Sequence, residues 1–102
     1  MRDLYHPRVE DVGIANVLHA LSDPVRLEIV RVLAGVGEMP CSSINAAVSK
    51  STMSHHFKVL REAGLTHTRA AGTKRLMSLR SDELERCYPG LLSSILQASK
   101  AA

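Results

Sequence analysis

Apolar residues recur along this chain mostly at helical spacing, with one stretch of strict alternation. Between Val9 and Leu21, the residues Ile14, Val17, Leu18 and Leu21 share one helix face, while Val9 and Val12 fall on the opposite one. The pattern predicts a first helix with two partners, its own core and another subunit. Asp23-Pro24 opens a second helix, with Asp23 as N-cap and Pro24 where a missing N–H costs nothing. Its body, Val25 to Ala34, is apolar nearly all round and broken only by Arg26, Glu28 and Arg31, which predicts a central buried helix. Gly35, Gly37 and Pro40 end it, and a short helix from about Ser43 to Ala47 follows, with Ser42 as its cap.

The next helix is the informative one. Ser49 caps it, and over Lys50 to Ala63 a helical wheel turns Met53, Phe57 and Leu60 inward. Ser51, His55 and Lys58 project from the far side, with Ser54 and Arg61 on a flank, and Gly64 is the stop. After Leu65 the period changes to two. Thr66 to Arg69 and Lys74 to Leu79 read as strands and Ala71-Gly72 as the turn between them, so a β-hairpin is expected. Ser81-Asp82-Glu83 starts another helix running to about Cys87. Pro89-Gly90 interrupts it, and a last helix from Pro89 to Ala98 carries the apolar stripe Leu91, Leu92, Ile95 and Leu96.

A length of 102 residues fits a single domain, here 1–102, and a hydrophobic fraction of 45% excludes disorder. The only aromatic rings of Phe, Tyr or Trp are Tyr5, Phe57 and Tyr88, so the core is aliphatic. A monomer this small buries only about 60 to 65% of its unfolded surface, and the apolar segments near both termini suit a second copy. No run of 18 apolar residues exists, and acid and proline stand in the opening residues, so a cytoplasmic protein with no membrane partner is expected. Cys41 and Cys87 are too few for a disulfide framework. Charge is unevenly spread. From Lys50 to Arg80 there are seven basic residues against the single acid Glu62, while the remainder is net acidic. A half that meets a polyanion, joined to one that does not, shows this asymmetry.

Two helices, the second capped and polar on its outer face, followed at once by a basic hairpin, make a winged helix-turn-helix. The fold class expected is thus mainly α with a small β-hairpin wing. One helix fits the major groove of DNA, where short hydroxyl and imidazole side chains reach base edges and long basic ones reach phosphates. Ser51, Thr52, Ser54 and His55 are the base-reading candidates. Lys50, Lys58 and Arg61, with Arg69, Lys74 and Arg75 on the hairpin, are the phosphate candidates. The partner implied is double-stranded operator DNA.

Ala20-Leu21-Ser22-Asp23-Pro24-Val25-Arg26-Leu27 and the stretch from Ser51 to Leu65 resemble the two signature segments of the ArsR/SmtB family. The resemblance covers about residues 9 to 98. In that family the serine and histidine matching Ser54 and His55 read DNA, often joined by the position of Ser51. The resemblance implies an operator-binding repressor, a homodimer through its first and last helices (9–21 and 89–98), with the helix-turn-helix at 43–63 and the wing at 65–80. It also implies release from DNA when an effector binds.

The effector end departs from the family pattern. Metal-sensing members carry a Cys-x-Cys pair before the DNA-reading helix, where this chain has Pro40-Cys41-Ser42-Ser43. Others carry Asp-x-His and His-x-x-Glu on the last helix, and the segment from Asp82 onward holds no histidine. Three readings stay open. Cys41 and Cys87 are a thiol redox pair, against the plainer view of two inert buried thiols. Asp3 and His6, joined by His19 or by Glu83 or Glu85 of the other subunit, hold a transition metal such as zinc or nickel. Or there is no effector.

His55 and His56 point about 100° apart and cannot share one ion, so His56 is expected to be a hydrogen-bonded packing residue and His67 a solvated strand residue. No G-x-S-x-G, P-loop or H-E-x-x-H is present, so no enzyme is expected. The competing reading is a winged helix used as a protein-interaction module, which calls for an apolar or acidic outer helix face. The face here is hydroxylic and basic.

Overall fold

The computed structural model describes residues 4–44 and 48–101. Five helices and a three-stranded sheet follow in the order α1 (Ile14–Leu21), α2 (Pro24–Val36), β1 (Glu38–Pro40), α3 (Lys50–Glu62), β2 (Thr66–Ala71), β3 (Lys74–Leu79), α4 (Ser81–Cys87) and α5 (Leu91–Ala101). All strand pairs are antiparallel in the order β1-β3-β2. Met77 on the central strand sits opposite both Met39 and Thr68. The core gathers Val17 of α1, Ile29, Val30 and Leu33 of α2, Leu60 of α3, Leu65, Met77 and Leu84.

The expected first helix is divided. Val9–Asp11 forms a single 3-10 turn, Val12 is extended, and α1 starts only after Gly13. The break turns Val9 and Val12 into the subunit's own core, where both are buried. It also splits the predicted stripe, since Val17 and Leu21 are buried while Ile14 and Leu18 stay more than two-fifths exposed. The side expected to serve another subunit is thus the one carrying Ile14 and Leu18.

Asp23 caps α2 as expected, its carboxylate accepting from the N–H groups of Val25 (2.9 Å) and Arg26 (3.1 Å). The Arg26 N–H holds the Asp23 carboxyl below its ordinary pKa, partly opposed by desolvation. The helix runs through Gly35 and stops at Gly37, whose φ of 86° suits glycine. Gly35 is therefore not the terminator: an exposed glycine costs a helix only about 1 kcal/mol, which the buried face opposite outweighs. β1 was not expected, because three residues carry no readable alternation; it turns the hairpin into a sheet. The short helix predicted from Ser43 is replaced at its start by a 3-10 turn over Cys41–Ser43, whose cap position is Pro40 rather than Ser42. Ile44 is extended, and the rest of that prediction, to Ala47, lies outside the described residues.

α3 closes one residue earlier than expected, at Glu62, and Gly64 follows at φ 78°. A Cβ at Gly64 would meet Val9 Cγ2 at 3.4 Å and Val9 Cα at 3.5 Å, an ordinary packing distance, so the turn after α3 favours glycine for its angle rather than for space. The hairpin turn is Gly72-Thr73, one residue later than predicted, with Gly72 at φ 64°. α4 matches its expected bounds, and α5 begins two residues past Pro89, after Gly90 at φ 80°.

Candidate nucleic-acid interface

α3 is held from beneath. Met53, His56 and Leu60 are buried and Phe57 is half-buried, so the inner face includes the expected packing histidine. His56 Nδ1 lies 3.2 Å from the Arg26 guanidinium, which has only donors, so in this contact Nδ1 is the acceptor. The same guanidinium donates from Nε to the Ala20 carbonyl (2.7 Å) and from Nη2 to the His19 carbonyl (3.3 Å). One buried arginine thereby satisfies the Ala20 carbonyl, whose helical donor position is Pro24 and has no N–H, adds to the Ser22 hydrogen bonds on the His19 carbonyl, and ties α1, the start of α2 and α3 together. Sequence reasoning took Arg26 only as an interruption. The available signal was a cation in the first turn of a capped helix that is apolar but for Arg26, Glu28 and Arg31, a setting in which a buried charge has to find partners.

The outer face of α3 is open. Lys50, Ser51, Thr52, Ser54, His55 and Lys58 are all exposed, and Arg61 is half-buried on the flank. Ser49 Oγ accepts from the Thr52 N–H at 3.2 Å and donates to Thr52 Oγ1 at 2.9 Å, so the cap network fixes the first turn and engages the Thr52 hydroxyl. The wing carries Lys74 and Arg75, both exposed, beside the Gly72-Thr73 turn. Among the described residues, Lys50, Lys58, Arg61, Lys74 and Arg75 enter no ion pair.

Arg69 stands apart from that group. Its Nε and Nη2 each lie 2.9 Å from a Glu38 oxygen, a bidentate pair between β2 and β1 that holds Glu38 below the ordinary carboxylate range. Arg80 is likewise turned inward, donating to the Pro7 carbonyl at 2.7 Å and pairing with Glu83. Of the seven basic residues between Lys50 and Arg80, five remain for an external anion.

The sensor candidates are scattered or engaged. Asp3 lies outside the described residues. His6 stacks on His67 with ring centroids 4.3 Å apart, and its Nε2 accepts from the Thr68 N–H at 3.0 Å. Desolvation first, then the neighbouring His67 and the charges of Arg80 and Arg61, push its pKa down. His19 is exposed on α1, Glu83 takes Arg80, and Glu85 accepts from the Gly90 N–H. Among the described residues of one chain, no three His, Cys, Asp or Glu side chains are placed to hold a metal. Cys41 and Cys87 are free thiols lining different cavities, and burial pushes the Cys41 thiol up against the opposing pull of Arg75 and Arg61.

Comparison with known proteins places this geometry. Residues 21–69 match a family model described as a helix-turn-helix domain. The chain is 42% identical over 84 residues to the HTH-type transcriptional regulator YceK of Bacillus subtilis, a match covering 79% of this chain and 84% of YceK. It is 35% identical over 74 residues to the arsenical resistance operon repressor of Staphylococcus xylosus, covering 71% and 70% of the two chains. Among solved structures, the transcriptional repressor BigR of Xylella fastidiosa superposes with a TM-score of 0.60 at 28% identity, covering 79% of this chain and 89% of BigR.

Proposed function

Because the chain belongs to the ArsR/SmtB family of winged helix-turn-helix transcriptional regulators, we propose that it represses transcription by laying α3 of each subunit of a homodimer into the major groove of its operator. One observation carries this reading: α3 is fastened from beneath by Arg26, His56, Met53 and Leu60, while Lys50, Ser51, Thr52, Ser54, His55 and Lys58 on its outer side are exposed. A rigid rod with a free polar side is what groove reading requires.

In this reading Ser51, Thr52, Ser54 and His55 touch base edges, and Ser49, within hydrogen-bond distance of both Ser51 Oγ (3.2 Å) and Thr52 Oγ1 (2.9 Å), fixes the first turn. Lys50, Lys58 and Arg61 meet phosphates beside the helix, and Lys74 and Arg75 meet them from the wing. Arg69 acts through Glu38, as a brace between strands. Homodimerisation uses the exposed pair Ile14 and Leu18 of α1 together with α5, whose Leu91, Leu92, Ile95 and Leu96 are only partly covered by the subunit's own core. No helix among the described residues is long and apolar enough to cross a membrane. The proposed working place is the cytoplasm, beside the DNA.

The test is a fluorescence-anisotropy titration of a duplex from the protein's own upstream region against a random duplex. His55→Ala is expected to lose roughly 1 to 3 kcal/mol on the first and much less on the second. Equal losses on both duplexes would reduce His55 to a backbone contact.

A further inference from the structure

Arg26 and His56 are each only 8% exposed, in a core built mostly of aliphatic side chains, so neither can touch an external duplex. Adhesion of α3 does not require them, because apolar side chains of similar volume often hold as well as a buried polar pair. What apolar contacts lack is direction. Met53 and Leu60 press α3 onto its seat, yet a thioether adapts its shape and such a stripe tolerates a small turn of the helix about its axis. A hydrogen bond does not, since it weakens steeply away from its line. The Arg26 guanidinium is itself held at two other points, by the Ala20 carbonyl (2.7 Å) and the His19 carbonyl (3.3 Å). The nitrogen it turns to His56 Nδ1 therefore stands in a fixed place relative to the end of α1. The Asp23 carboxylate, 3.8 Å from the same Nδ1, has no hydrogen to offer an accepting nitrogen.

His56 adjoins the exposed His55, their ring centroids 6.1 Å apart, and both move with one helical backbone. A helix with its side chains has a radius of about 5 to 6 Å, so turning α3 by about 20° carries a groove-facing atom about 2 Å, more than a hydrogen bond to a base edge survives. The long chains of Lys50 and Lys58 can follow phosphates through such a shift. We propose that Arg26, acting through His56, is the positioning residue that sets the rotation of α3, and that discrimination between operator and random DNA depends on it. The proposal rests on the reading of α3 as the helix that enters the groove. It gives a specificity role to a side chain that meets no base, and it makes the loss selective: base contacts go while attraction to phosphate stays.

Asparagine and leucine have nearly the same shape, so together they separate the hydrogen bond from the packing. His56→Asn keeps an acceptor close to where Nδ1 stands, and His56→Leu removes it. Anisotropy titrations of the full-length chain give the ratio of its affinities for the upstream and the random duplex. His56→Asn is expected to keep that ratio within about threefold of wild type, and His56→Leu to lower it at least about tenfold. The whole loss should fall on the upstream duplex, with random-duplex affinity and the salt slope as in wild type. Should His56→Leu fail to fold because Arg26 loses a partner, the double variant Arg26→Met with His56→Leu, apolar at both positions, takes its place with the same expectation. A wild-type ratio in the apolar variants, equal losses on both duplexes, or a loss in His56→Asn as large as in His56→Leu would overturn the role of Arg26. A wild-type chain that shows no preference for its upstream duplex would sink the reading of α3 itself, and this proposal with it.

Discussion

Histidine 6 shows how a residue with an ordinary appearance acquires a definite role. Its Nε2 accepts from the Thr68 N–H, which only the unprotonated ring does; burial first, then the neighbouring His67, Arg80 and Arg61, oppose a positive charge on the ring, against a weaker pull from a hydrogen bond to the Leu4 backbone. The folded pKa therefore lies below the ordinary value near 6.5, and between these two values the unfolded chain binds more protons than the folded one. The stability this gives is present above pH 6.5 and is lost as pH falls through the folded pKa. Thermal melts at a series of pH values from about 7 to 5 should show a loss of Tm that His6→Phe, which retains a ring but not the acceptor, makes shallower. Parallel curves for the two proteins would remove His6 as a source of the pH response. Nothing in the sequence signalled this contact, because Thr68 lies sixty-two positions away. His56, by contrast, was readable from the helix wheel, since it falls beside Met53 and Leu60.

At the level of elements, what could be read depended on length and on local punctuation. α3, α4 and the hairpin were placed within a few residues because caps, glycines and period changes mark their ends. β1 was missed because its pairing with β3 supplies what its three residues cannot announce. The first helix was drawn too long because periodicity continues through Val9 and Val12, although Gly13 and the packing of both valines against Gly64 bend the chain there. The wing's role follows from the same kind of detail. With Arg69 occupied by Glu38, the cations it offers are Lys74 and Arg75. Replacing each by alanine should weaken operator and random DNA alike and reduce the slope of log K against log salt by about one unit per residue. A salt dependence that stays unaltered in both variants would take the wing away from the duplex.

For the whole molecule, the decisive surface lies away from α3. The subunit leaves Ile14 and Leu18 exposed on α1, one helical turn apart, and covers the stripe of α5 incompletely. A second copy related by a two-fold axis would cover both and set two α3 helices at a fixed separation. Leu18→Glu tests this without entering the subunit's core. Sedimentation should show a monomer with an unchanged helical circular-dichroism spectrum and operator affinity lowered by at least about tenfold, because one half-site alone holds it. A dimer that persists would place the interface elsewhere.

Methylation protection of guanine N7, an atom lying in the major groove, tests most directly whether α3 reads the duplex. With the full-length protein saturating its own upstream DNA, protected guanines should fall in two successive major grooves about 10 base pairs apart, and His55→Ala should expose at least one in each. Full occupancy of the duplex with every guanine still reactive would mean that α3 does not enter the groove.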